Sequence, residues 1–306
     1  MYTSQTYSPQ LSKSADRRLI EMGEVPRVSI HDLNPQTFRH LFQLPGKPVV
    51  ITQALQTAIP VDIDKLVSLV GEVEVMTRIY GADRFSRPKT EWKSYCEMQS
   101  MKIAHYCDHL KDGSAKHNHM YLALVEMGQT ALRSVIGPCI DLIAKNTGLR
   151  QHPKIDINLW VGPGGHIEPL HFDGMDGTLS QFRGAKRVSL FSPRQTNNLY
   201  PFPVSHGKMP PSFSQPYIDQ PDFQQFPRLA EALKHRKVII LAEGETLYMP
   251  VGWWHEIEAL ETDYICSINR FWKVDPLWRY AQAPRVAYFQ MVSKLIQLRQ
   301  SMKKTT

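Results

Sequence analysis

Cysteine is scarce in this chain of 306 residues, and its scarcity excludes two kinds of stabilisation. The four cysteines, Cys96, Cys107, Cys139 and Cys266, are widely separated and form no CxxC pair. Disulfide frameworks and structural zinc sites both need cysteines at closer, paired spacings. We therefore expect reduced thiols and a cytoplasmic protein.

Long apolar runs are missing as well. No apolar stretch approaches the ~18 residues that a membrane-spanning helix needs. The polar start, MYTSQTYSPQLSKSADRR, lacks the apolar segment of a secretory signal. The sequence therefore predicts neither a signal peptide nor a membrane span.

The overall composition is that of an ordinary globular protein. Apolar residues make up 42% of the chain and charged residues 21%, and a chain of this length can bury a sizeable core. The formal charge of +7 is compatible with acidic partners such as nucleic acid or an acidic peptide, but many basic proteins bind neither.

The chain has no internal repeats. Changes in its pattern of helix and strand signals divide it into four segments. Residues 1–25 are expected to form a flexible arm, and 26–150 a supporting α/β region. Residues 151–275 carry many short strand signals and are expected to form the core, followed by a helical segment over 276–306.

In the supporting region, the stretch NPQTFRHLF predicts a helix with Asn34 as N-cap and Pro35 at its first position. Helices are also expected over DIDKLVSLV, over residues 100–111, and from Thr130 to Asn146 with an interruption near Gly137 and Pro138. The stretches KPVVIT, VEVMTRIY and HMYLALVEM predict strands.

After residue 150, the stretches INLWVG, KRVSLF, KVIIL, TLYMP, HEIEAL and YICSINRFW predict short strands separated by turn residues. Such a series is typical of a sandwich or barrel. The predicted fold is mainly β with flanking helices (α+β), built around a jelly-roll core. In the last segment, Phe289, Val292 and Ile296 share one helix face, which packs on its own chain or forms a homodimer interface.

The stretch PLHFDG indicates a metal site. Alternate residues of a strand share a face, so His171 and Asp173 point the same way. Two histidines and one carboxylate on one face of an octahedron suit non-haem Fe(II). His255, after YMPVGWW, is the candidate third ligand, although a buried, hydrogen-bonded core histidine has the same pattern. The pair His166 and Glu168 is a rival to the HxD pair.

Lys186 lies in GAKRVSLF, which we expect to lead into a strand beside that of His171. An inward ammonium group among apolar neighbours requires an anionic partner. An anionic ligand near the metal would provide it. In the alternative interpretation Lys186 is solvated and Arg187 points inward.

At this point the motifs resemble a known family. LWVGPGGHIEPLHFDGMDGTLSQFRGAKRVSLFSP, NNLYPFP, EGETLYMPVGWWHEIEAL and INRFW are similar to those of the JmjC (cupin-8 type) 2-oxoglutarate oxygenases. Within that family they look most like the branch that contains the asparaginyl hydroxylase inhibiting hypoxia-inducible factor. The resemblance covers about residues 155–273, and so makes 151–275 the catalytic core.

The resemblance implies a double-stranded β-helix that binds Fe(II) through His171, Asp173 and His255. It implies 2-oxoglutarate and O₂ as co-substrates, with release of succinate and CO₂. The residues that it assigns to 2-oxoglutarate are Lys186 and Tyr121 at the 5-carboxylate and Asn269 near the 1-carboxylate.

Two positions depart from the family pattern. Glu168 stands where the family usually has Thr or Ser contacting the 5-carboxylate. Gly177 stands where the family has a second Asn. Both changes bear on co-substrate binding, and neither affects the three metal ligands.

The substrate that we expect is a protein or peptide side chain, since similar proteins act on these. A tRNA nucleoside is the first alternative, and a catalytically silent cupin scaffold is the second. Trp253, Trp254 and Trp272 are candidate pocket walls, although aromatic residues in such positions commonly belong to the core.

Overall fold

The computed structural model describes residues 24–288 and residue 291, apart from 60, 85–87, 89–90, 92–94, 152–155, 204–208 and 261–262. Most of the predicted arm therefore lies outside the described residues. So does the predicted apolar stripe of Phe289, Val292 and Ile296, and with it the proposed homodimer contact. The four segment boundaries remain predictions.

Within the described residues, thirteen strands form two sheets. The strands are β1 (Arg27–Ser29), β2 (Val49–Thr52), β3 (Glu74–Ile79), β4 (Glu97–Lys102), β5 (Met120–Glu126), β6 (Asn158–Pro163), β7 (Ile167–Phe172), β8 (Asp176–Arg183), β9 (Lys186–Phe191), β10 (Lys237–Leu241), β11 (Thr246–Met249), β12 (Trp254–Ala259) and β13 (Tyr264–Trp272). The larger sheet has the order β1-β2-β11-β8-β13-β6-β5-β3-β4, and the smaller has the order β10-β9-β12-β7. Apart from the parallel pair β1–β2, the strand pairs are antiparallel.

Helices flank the sheets, and together with them confirm the predicted β-rich jelly roll with added helices. The α-helices are α1 (Pro35–Phe38), α2 (Ile63–Val70), α3 (Ile103–Lys111), α4 (Ser114–His117), α5 (Ala131–Thr147) and α6 (Leu229–Lys234). The α1 cap is as predicted, because the Asn34 side chain accepts a hydrogen bond from the Thr37 N–H at 2.9 Å. No helix in the described part of the chain has the length and apolar character needed to cross a bilayer.

Two helices of the structure differ from the helices that were predicted from the sequence. Residues 97–102 form β4, which pairs along its whole length with β3, and the helix begins only at Ile103. Pairing with a neighbouring strand has here overridden the local helical pattern. Helix α5 runs through Pro138 without the predicted interruption. Its buried face, which includes Ile136 and Ile140, outweighs the one backbone hydrogen bond that the proline removes.

The strand order corrects one expectation. Lys186 begins β9, which was expected to lie beside the strand of His171. Instead β12, which carries His255, lies between β9 and β7. No strand was predicted for β8, because this strand is buried along almost its whole length but has only two large apolar residues, Leu179 and Phe182.

Apolar side chains fill the space between the two sheets at one end of the jelly roll. Leu179 and Leu247 of the larger sheet pack there with Val188 and Leu190 of the smaller sheet. A second, larger core lies between the nine-stranded sheet and the helices of the N-terminal region. A cavity adjoins this core, and the predicted metal ligands line it together with Lys186, Tyr121 and Asn269.

Candidate metal centre

His171 and His255 lie on neighbouring antiparallel strands and are direct partners in the register of β7 and β12. Their ring centroids are 4.2 Å apart. Asp173 follows the last residue of β7, and its Oδ2 atom lies 3.7 Å from Nε2 of His255. One ligand atom from each of the three residues lies within 4.8 Å of the others. In the described part of the chain, this is the one group of three such residues close enough to hold a metal ion.

Backbone carbonyls orient both rings for metal binding. Nδ1 of His171 lies 2.7 Å from the Pro169 carbonyl, and Nδ1 of His255 lies 3.1 Å from the Trp253 carbonyl. Because a carbonyl only accepts, each Nδ1 carries a proton, and in the neutral ring the Nε2 atom is the one left to bind a metal. Burial, helped by the neighbouring His171, lowers the pKa of His255 to about 4, so that its ring is neutral near pH 7.

The residue type, tautomer and geometry suit a divalent metal ion. Two imidazole nitrogens and one carboxylate lie close together, which is the donor set of non-haem Fe(II) sites. The hydrogen bond to each Nδ1 is the outer support that metal-binding histidines usually have.

Two hydrogen bonds and an ion pair, which we call the Asp173 loop clamp, hold the loop that carries Asp173. The Asp173 carbonyl accepts from the Gly252 N–H at 3.0 Å. Close behind it, the Asp176 carboxylate accepts from the Val251 N–H at 2.9 Å and forms an ion pair with Arg279. Asp176 and Arg279 are both fully buried. This pair was not predicted from the sequence, although a buried aspartate and a buried arginine each require a partner of opposite charge.

A cavity of about 560 Å³ adjoins the three residues. The charged groups on its wall are three cations, Arg78, Arg84 and Lys186, and two anions, Glu168 and Asp173. A divalent metal would add two positive charges to this set. The cavity is therefore suited to an anionic ligand.

Lys186 points into this cavity and is only 2% exposed. Its ammonium group has no hydrogen-bond or ion-pair partner among the described residues, and the Trp160 ring lies 6.0 Å from it. Burial lowers the pKa of Lys186 to about 7. Arg187, the alternative inward cation, is solvent-accessible and pairs with Glu258 at 2.7 Å. The structure thus leaves a buried cation facing the space where an acidic ligand would bind.

Tyr121 and Asn269 lie on the same cavity wall. The Tyr121 ring occupies the space beside Gly162, where an added Cβ would come within 1.9 Å of it. The amide oxygen of Asn269 accepts from Asn158 and from the Trp160 indole, at 3.0 and 3.2 Å. Since an indole only donates, the Asn269 NH₂ group is the one left for a ligand carboxylate.

The rival pair, His166 and Glu168, lines the cavity, but both side chains interact with arginine residues. Nδ1 of His166 lies 3.0 Å from the Arg84 guanidinium, which can only donate, so this nitrogen is an acceptor and is not available to a metal. Glu168 lies 3.7 Å from both Nε2 of His166 and the Arg78 guanidinium. Burial raises the pKa of Glu168, but the His166 ring and the Arg78 charge more than offset it and lower the pKa to about 2.

The three tryptophans predicted as pocket walls lie elsewhere. Trp253 donates its indole N–H to the Gly46 carbonyl at 2.8 Å and borders a separate surface groove. Trp254 and Trp272 are fully buried, and their indoles donate to Thr196 and Thr178. Trp160 of β6 lines the cavity instead. Its position depends on long-range strand pairing, which the sequence pattern did not reveal.

Comparison with known proteins gives consistent matches. A family model described as a cupin-like domain matches residues 35–276. The protein named Lysine-specific demethylase 8 from Xenopus tropicalis is 37% identical over 125 residues, which cover 41% of this chain and 27% of that protein. The protein of the same name from Danio rerio is 28% identical over 257 residues, covering 81% and 58% respectively. HSPB1-associated protein 1 from Rattus norvegicus is 35% identical over 112 residues, covering 36% and 22%. Each match spans less than two thirds of the relative's own length.

Proposed function

This chain belongs to the cupin-like domain family, the family that contains the JmjC proteins, and from that membership and its cavity we propose that it is an Fe(II)- and 2-oxoglutarate-dependent dioxygenase. We propose further that it hydroxylates a protein or peptide side chain. The family membership confirms the resemblance that the motifs indicated.

One observation carries the proposal. Three potential metal ligands, His171, Asp173 and His255, face a cavity whose wall contains Lys186, a buried cation without an ionic partner among the described residues. A metal together with a dicarboxylate would satisfy both features at once. An ion bound by these three residues would keep open positions for a chelating keto acid and O₂.

Fe(II) bound with 2-oxoglutarate and O₂ supplies the oxidant for C–H hydroxylation, with release of succinate and CO₂. The residues of this chain bind and orient the reactants. Lys186 and Tyr121 would hold the 5-carboxylate, and the Asn269 NH₂ group would donate to the 1-carboxylate. Phe213 stacks on His171 at a centroid distance of 5.0 Å and lines the cavity beside the proposed metal ligands.

The rim of the cavity favours a polypeptide substrate over RNA. Met98 and Leu124 line the cavity and are 49% and 45% exposed. Two of the three cations that line the cavity, Arg84 and Lys186, are by contrast buried. A tRNA enzyme needs exposed cations that can reach phosphates. The relatives' names fit the same substrate class, since one names a lysine-specific demethylase and another a protein associated with HSPB1.

The test is to compare cells with and without the gene by mass spectrometry of proteins and of digested tRNA, searching for the addition of one oxygen atom. Re-expression of the wild-type chain should restore a modified peptide, and re-expression of the His255→Ala variant should not. A modified nucleoside instead, with tRNA binding that falls steeply with salt, would favour the tRNA alternative. Bound Fe(II) without succinate formation and without any modified product would favour the silent scaffold.

A further inference from the structure

Arg78 and Glu168 form a charge pair inside the cavity. Arg78 is the register partner of Tyr121 in the β3–β5 pair, so the two side chains share a face of the sheet and both line the cavity. Glu168 reaches the same space from β7. The β7–β12 register shifts between His255 and Ile257, the residue opposite Glu168. An irregularity of this kind can turn a side chain toward a site.

The pair is held by charge rather than by hydrogen bonds. The Arg78 guanidinium lies 3.7 Å from Oε2 of Glu168, beyond hydrogen-bond distance. Oε2 is buried and has no hydrogen-bond partner among the described residues. Glu168, whose pKa is lowered to about 2, is thus a carboxylate with an unsatisfied acceptor atom on the cavity wall that also carries Lys186.

We propose that Arg78 and Glu168 together set the affinity of this cavity for a dicarboxylate. The ionised Glu168 repels the distal carboxylate of the ligand, and Arg78 offsets that repulsion. The inference rests on the proposed function, because it assumes that 2-oxoglutarate binds with its distal carboxylate near Lys186.

Charge counting gives the direction of each effect. In the wild-type wall, the three cations Arg78, Arg84 and Lys186 exceed the two anions Glu168 and Asp173 by one charge. Removing Glu168 raises this excess and should favour a dianion. Removing Arg78 lowers the excess and leaves Glu168 without its counterion. Charges a few ångströms apart in partly buried surroundings interact strongly, so both changes should be measurable.

The same geometry predicts that the effects of Arg78 and Glu168 on ligand affinity are coupled. If Arg78 serves mainly to neutralise Glu168, its loss should matter much less once Glu168 is also neutral. A double-mutant cycle measures this coupling directly. A pair that only stabilised the fold would change the unfolding temperature and leave ligand affinity unaltered.

The experiment uses the full chain loaded with Ni(II), which permits binding without turnover, and measures dissociation constants by calorimetry. The ligands are 2-oxoglutarate and 2-oxopentanoate, a keto acid of the same length without the distal carboxylate. Glu168→Gln should tighten 2-oxoglutarate binding by about fivefold or more and leave 2-oxopentanoate binding unchanged. Arg78→Gln should weaken 2-oxoglutarate binding by about tenfold, and by much less when Glu168→Gln is also present.

Two control variants keep the result interpretable. Arg78→Lys keeps the charge and should bind nearly as well as the wild type, which guards against a folding defect in Arg78→Gln. Arg187→Gln breaks a matched ion pair with Glu258 on the protein surface and should have no effect.

Unchanged or weaker 2-oxoglutarate binding by Glu168→Gln would overturn the inference. So would an equal change for both keto acids, or a full Arg78 effect in the Glu168→Gln background. Failure of the proposed function looks different, since the wild-type protein would then bind Ni(II) but neither keto acid. That outcome would remove the basis of the inference as well.

Discussion

His171 and His255 face each other across two paired strands, and each ring donates its Nδ1 hydrogen to the carbonyl of the residue two positions before it. The backbone thus fixes the tautomer and the orientation of both rings. One ring nitrogen of each histidine lies within 4.8 Å of a carboxylate oxygen of Asp173. The candidate metal site is therefore organised by the jelly roll itself, through the register of β7 and β12.

The buried ammonium of Lys186 should be the main anchor of an acidic ligand. A charge-assisted hydrogen bond in such surroundings is worth about 1.5–3 kcal/mol. Lys186→Ala should therefore weaken 2-oxoglutarate binding by about tenfold to a hundredfold, as measured by calorimetry on the Ni(II)-loaded protein. Arg187→Ala, one residue along β9, is the matched control and should bind normally. Equal affinities for Lys186→Ala and the wild type would remove Lys186 from the site.

Binding of 2-oxoglutarate should depend on pH through the same residue. Burial lowers the pKa of Lys186 to about 7, and only the protonated amine attracts a carboxylate. Below pH 7 the amine already carries its proton, so affinity should be nearly constant as far as Lys186 is concerned. Above pH 7 binding must take up a proton, so the dissociation constant should rise by up to about tenfold per pH unit.

Calorimetry in buffers of different ionisation enthalpy reports this proton uptake. Near pH 8 the wild-type protein should take up close to one proton for each ligand bound, and Lys186→Ala should take up fewer. Proton release on binding, or identical uptake in the two proteins, would contradict the assignment to Lys186.

The ion pair of Asp176 and Arg279 should contribute to the stability of the fold. Arg279→Met leaves a carboxylate buried without its counterion, which typically costs about 3–5 kcal/mol. Chemical denaturation should show this loss. Adding Asp176→Asn should restore part of the stability, because the amide is neutral and still accepts from the Val251 N–H. If the Arg279→Met protein were as stable as the wild type, the ion pair would not contribute to the stability of the fold.

The sequence predicted the grouping of His171, Asp173 and His255 better than it predicted the walls of the cavity beside them. His171 and Asp173 were paired by the two-residue period of a strand, and Lys186 was selected by the cost of burying an ammonium group. Both inferences are local and need no knowledge of strand order. The position of β12 between β9 and β7 is set by long-range pairing, and no local pattern revealed it.

The cavity wall was predicted poorly for the same reason. Trp253 and Trp254 are adjacent to His255 in the chain, but their indoles donate to partners outside the cavity. Arg78 and Trp160 reach the cavity from strands far away in the sequence. The departure at Glu168 was visible in the sequence, whereas its counterion Arg78 became apparent only once β3 and β5 were paired.

Anaerobic titration of Fe(II) into the metal-free protein tests the central claim most directly. We expect the wild-type chain to bind a single ion, and His171→Ala, Asp173→Ala and His255→Ala to lose that binding while remaining folded by circular dichroism. His166→Ala serves as the matched control and should bind iron like the wild type, because its Nδ1 accepts from Arg84. Full iron binding by His255→Ala, together with its loss in His166→Ala, would contradict the account and move the metal to the pair His166 and Glu168.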